Sequence, residues 1–97
     1  MISPELSRDA SGRLAITLFD VPMESFLELT SEIQATFALE ADSLPRSNLA
    51  DRSVITLRRG EARIETAWDN WSGFIVTSLN ESSDALVNEI YAWFGTA

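Results

Sequence analysis

From Val54 to Trp68, apolar and charged side chains alternate with a period of two, and this constrains the fold more than any other stretch. If the chain folds back on itself there, Ile55, Leu57, Ala62, Ile64, Thr66 and Trp68 share one face, while Arg58, Glu61, Arg63 and Glu65 share the other. Placing Arg59-Gly60 as a two-residue turn pairs Arg58 with Glu61, Leu57 with Ala62, Thr56 with Arg63, Ile55 with Ile64 and Val54 with Glu65. A slip by one residue would carry charges into the core, so the alternation selects its own pairing. The cluster Asp69-Asn70-Trp71-Ser72-Gly73 then predicts a second turn, and Phe74 to Leu79 a third strand of the meander.

Two segments carry helical spacing instead. From Met23 to Leu39, Met23, Phe26, Leu29, Ile33 and Phe37 gather on one side and Glu24, Glu28 and Glu32 on the opposite side. Pro22 suits the first turn of this helix, with Asp20 placed to cap its free amides. A second helix is predicted from about Ser83 to Phe94, carrying Leu86, Val87, Ile90, Tyr91 and Phe94, capped by Asn80, Ser82 or Ser83 and stopped by Gly95.

Arg13 to Phe19 is apolar on both faces and reads as a buried strand extending one edge of the sheet. Residues Met1 to Gly12 lack sustained periodicity and read as a flexible arm, with a single domain over 13–97. Glu40 to Ser53, rich in Ser, Asp, Asn and Pro, reads as a long loop at about 40–53. The expected fold is α+β: a two-layer sandwich in the order β-α-β-β-β-α, with two helices on one face of a mainly antiparallel four-stranded sheet.

Composition narrows the chemistry. The chain has 97 residues with no His, Cys or Lys, and its seven basic residues are all Arg. A Ser-His-Asp or Cys-His nucleophile, a Schiff-base lysine, a P-loop lysine and the usual zinc ligands are therefore all excluded. No carboxylate pair stands out as a general acid and base, so no catalytic residue, metal or cofactor is expected and the protein reads as a non-enzyme. No apolar run approaches the roughly 20 residues needed to cross a bilayer, and Met1 to Glu5 does not begin a secretory leader. The expectation is a cytoplasmic protein, bacterial in style.

The formal net charge is −8, and its distribution carries the functional reading. Val21 to Asp42 holds five carboxylates and no arginine, and Asp69 to Ala97 holds four and none. The helix–meander–helix order is similar to that of double-stranded RNA-binding domains, a likeness of topology only. Those domains hold phosphates with lysines at the start of their last helix; here that stretch is Asn80-Glu81-Ser82-Ser83-Asp84, of the wrong sign for nucleic acid. The composition instead points to a small acidic protein-binding module that engages a basic protein through its acidic helical face, at Glu24, Glu28 and Glu32. Trp71, at the tip of a turn, is the candidate aromatic anchor if it is exposed; the alternative is that it folds back over the sheet end to cover Trp68 or Phe74. The competing expectations are a homodimer pairing through the sheet and a small-molecule binder with a cleft beneath the long loop.

Overall fold

A computed structural model describes residues 4–42, 46–48 and 52–96, with the side chains of 46–48, 52 and 96 left aside. The fold is α+β, with two helices and an antiparallel sheet. The elements in chain order are β1 (Glu5–Arg8), β2 (Leu14–Leu18), α1 (Phe26–Thr36), β3 (Glu40–Ala41), β4 (Arg46–Asn48), β5 (Arg52–Arg59), β6 (Ala62–Asp69), β7 (Gly73–Ser78) and α2 (Asp84–Thr96). The sheet runs β1-β2-β7-β6-β5-β3, with β4 also on β5. It is wider than the four strands expected, for two reasons. Glu5–Arg8, within the expected arm, pairs with β2, which therefore lies inside the sheet rather than at its edge. The expected loop from Glu40 onward contributes β3 and β4, both on the free side of β5. Asp42 follows β3, Arg52 and Ser53 of that loop begin β5, and its remaining residues, 43–45 and 49–51, lie outside the described residues, as do Met1 to Ser3 of the arm.

The β5–β6–β7 meander forms as the alternation demands, with one correction. The turn residues are Gly60 and Glu61 rather than Arg59 and Gly60, so Arg59 pairs with Ala62, Leu57 with Ile64 and Ile55 with Thr66. Gly60 takes φ +61 while Glu61 stays at negative φ, the II′ pattern that wants glycine at its first central position; Arg59 would be strained there. The register moves by two residues, so every side chain keeps its face.

Through the strand registers, Leu14, Ile16 and Leu18 share a face with Phe74, Val76, Ile64, Ile55 and Leu57. Both helices bury against this face: Phe26 and Ile33 from α1, and Leu86, Val87, Ile90 and Phe94 from α2. Among the described residues, the buried pair Thr30 and Thr66, with hydroxyls 3.1 Å apart, joins α1 to β6 within this layer. Among the described residues, no buried side-chain polar atom lacks a partner. No described helix is long and apolar enough to cross a membrane.

The helix boundaries depart from expectation at three ends. Asp20 does not cap α1: a 3-10 turn at Met23–Ser25 precedes the helix, and its backbone bonds take up the free amides. The helix ends at Thr36 because Ala38 adopts φ +56, and the Leu39 amide bonds back to the Gln34 carbonyl at 2.9 Å. This is a Schellman closure with alanine in the glycine position, and Leu39 is buried over it. Gly95 does not stop α2; it lies within the last turn, which runs on to Thr96.

Candidate functional site

The charged side chains divide into neutralised and open groups. On the sheet face away from the helices, Arg58 and Arg63 stand directly opposite each other, a repulsive placement. Carboxylates from β3 and the residue after it relieve that repulsion. Asp42 bridges the two guanidinium groups, 3.4 Å from Arg58 and 3.6 Å from Arg63, and Glu40 binds Arg58 at 3.2 Å. Glu40 and Asp42 both lie in the stretch expected as loop, so the sequence pattern did not place them beside these arginines. On α2, Asp84 pairs with Arg8 of β1 at 3.3 Å, and Glu89 pairs with Arg59 of β5 at 3.1 Å.

Glu24, Glu28 and Glu32 behave differently. All three are exposed, Glu28 and Glu32 on α1 and Glu24 in the 3-10 turn before it, and among the described residues no arginine pairs with them. Glu28 and Glu32, together with Asp20, rim a cleft of about 290 Å³ whose floor is Val21, Pro22 and the half-buried Leu29. Asp20, expected as a helix cap, is thus part of an acidic rim. The chain before α1 is anchored to the sheet: the Trp68 indole N–H donates to the Val21 carbonyl at 2.8 Å, holding this connection against the end of β6.

Trp71 is the most open large apolar side chain among the described residues, 79% exposed. The backbone of its turn is fixed. The Asp69 carboxylate accepts from the backbone amides of Trp71 at 2.9 Å and Ser72 at 2.7 Å. Gly73 follows at φ +72, passing so close to the carbonyls of Leu18 and Phe19 that any Cβ would collide with them. Trp93 instead is half-buried and packs edge-on against Phe37 at 5.9 Å.

Three further residues belong to this end of the molecule. Met23, expected in the buried stripe, is 55% exposed because it sits in the 3-10 turn rather than in α1. Phe19 is 57% exposed beyond the end of β2, and Leu27 is 59% exposed. Leu27 was legible as an outlier, since it falls between Glu24 and Glu28, off the apolar stripe; Phe19 carried no such signal, because an apolar strand end looks the same whether covered or open.

A second cleft, of about 470 Å³, lies between the β1–β2 hairpin and the start of α2, and includes Arg8, Arg13, Ser78, Asn80, Glu81 and Asp84. Its charges are mixed, and Arg8 is already engaged by Asp84 and the Gly12 carbonyl. Comparison of the chain with family models, with curated proteins and with solved structures gives no match.

Proposed function

We propose that this protein is a small protein-binding module whose acidic α1 side engages a basic region of a partner protein. One observation carries the reading: among the described residues no arginine pairs with Glu24, Glu28 or Glu32, although the same molecule supplies Arg8 and Arg59 to neutralise the carboxylates of α2. Open like charges on one helix side generate a field that attracts cationic surfaces and speeds their encounter by roughly ten- to a thousandfold at low salt. The cleft beside them adds an apolar floor on which an incoming side chain is desolvated.

The test is capture from the source cell's lysate with three baits: the wild-type protein, the triple variant Glu24→Gln, Glu28→Gln, Glu32→Gln, and Glu89→Gln as the charge control. A basic protein retained by the wild type and by Glu89→Gln, released by salt and missing from the triple variant, is the expected result. The same captured set on all three baits overturns the reading.

A further inference from the structure

Among the described residues, the four most open large apolar side chains are Phe19, Met23, Leu27 and Trp71, between 55% and 79% exposed. Single exposed apolar residues are ordinary on a protein surface, but these are not scattered. Three come from the nine-residue stretch Phe19 to Leu27, and the fold brings the fourth to the same end. Leu18 pairs with Phe74, and the Phe19 carbonyl lies against Gly73, two residues from Trp71. Val21 is bonded to Trp68, on the strand that leads into the Trp71 turn. Met23, in the 3-10 turn, and Leu27, in the first turn of α1, lie at the start of the same helix. The close passage of Gly73 and the two amide hydrogen bonds accepted by the Asp69 carboxylate fix the backbone of the turn that carries Trp71.

Carboxylates accompany these side chains. Asp20, Glu24 and Glu28 are interspersed with Phe19, Met23 and Leu27, with no arginine between Val21 and Asp42. A neutral apolar partner would leave these carboxylates desolvated and unpaired, at a cost that opposes binding. A purely cationic partner would leave the four apolar side chains uncovered. Resting on the reading of α1 as the binding helix, we infer that this end of the molecule docks a basic amphipathic segment of the partner protein. Its apolar side chains cover Phe19, Met23, Leu27 and Trp71, and its cations face Asp20, Glu24 and Glu28.

The probe is a synthetic helical peptide with leucine along one face and lysine along the other, compared with a lysine–serine peptide of equal length and charge. Binding to the full chain is followed by fluorescence anisotropy and by amide chemical shifts. The leucine–lysine peptide is expected to bind more tightly and to shift the amides around Phe19, Leu27 and Trp71. Trp71→Ala should weaken it by about tenfold, the scale of a tryptophan anchor, and Leu27→Ala by less. Both positions are exposed, and an unchanged unfolding midpoint shows that the variants remain folded. Equal affinity for the two peptides, or binding indifferent to Trp71→Ala and Leu27→Ala, overturns the docking site while leaving the acidic face in place. Failure of both peptides to bind, or binding indifferent to the triple glutamine variant, overturns the acidic face as well.

Discussion

The two helices make an informative pair, because their sequences are alike in kind and their situations are not. Each is amphipathic, each carries an acidic residue in its first turn, and neither contains a basic residue. Yet α2 buries Leu86, Val87, Ile90 and Phe94 and has its carboxylates Asp84 and Glu89 paired. In contrast, α1 buries only Phe26, Thr30 and Ile33, leaves Leu27 in solvent and keeps its carboxylates open. The difference comes from the neighbours, since Arg8 and Arg59 belong to strands within reach of α2. A helix's own composition therefore does not decide whether its carboxylates are paired; the arginines of adjacent strands do.

The sharpest way to break the contrast is to remove bulk from each helix. Ile90 is fully buried, and Ile90→Ala should cost about 2–5 kcal/mol through lost burial and a residual cavity. Leu27→Ala, at a site more than half exposed, should stay within about 0.5 kcal/mol. Urea unfolding followed by circular dichroism measures both; comparable losses would mean that Leu27 is packed after all.

A smaller effect probes how α1 is held at all. Its buried polar link to the sheet is the Thr30–Thr66 hydroxyl pair. Thr30→Val or Thr66→Val alone strands one buried hydroxyl and should cost about 1–3 kcal/mol, whereas the double valine variant should come close to wild type. The double-mutant cycle should thus show strong coupling. Additive losses would show that each hydroxyl is satisfied independently of the other.

The same contrast explains what the sequence disclosed. Period-two alternation between Ile55 and Trp68 sorted the faces correctly even though the turn sits one residue further on, because a two-residue register shift preserves side-chain parity. The stripe of α2 was equally plain, since Leu86, Val87, Ile90 and Phe94 all find a wide sheet to cover. The edges were not legible. Glu5–Arg8 contains one apolar residue, Leu6, and becomes a strand only because β2 offers an open ladder. Glu40–Ala41 pairs for the same reason, and it places Glu40 and Asp42 beside arginines although both lie in the stretch expected as loop. The end of α1 carried no glycine signal, because Ala38 takes the left-handed conformation while Leu39 packs behind it. Of the candidate site, the exposure of Glu28 and Glu32 followed from helical spacing, whereas that of Trp71 did not, because a tryptophan in a turn can equally fold back over the sheet end. The carboxylates' lack of arginine partners among the described residues, and the company of Phe19, depended on tertiary structure.

The smallest effect carries the comparison to single charges, and it turns on sign. Glu28 and Glu32 are four residues apart on α1, a like-charge spacing that destabilises a helix by about 0.2–0.5 kcal/mol. Glu32 also lies beyond the first turn, where the helix dipole no longer favours an acid. Glu32→Gln should therefore raise stability by a few tenths of a kcal/mol at low salt. Glu89→Gln should lower it, by no more than about 1 kcal/mol, because it breaks a pair whose two side chains are each roughly half exposed. Both changes should vanish in about 1 M salt, where screening extends over only about 3 Å. Urea titrations at low and high salt resolve the two signs. Opposite signs would mean that α1 keeps a carboxylate that the isolated fold would be better without, as expected where charge is held for binding rather than for stability. Matching signs would remove the electrostatic distinction between the two helices.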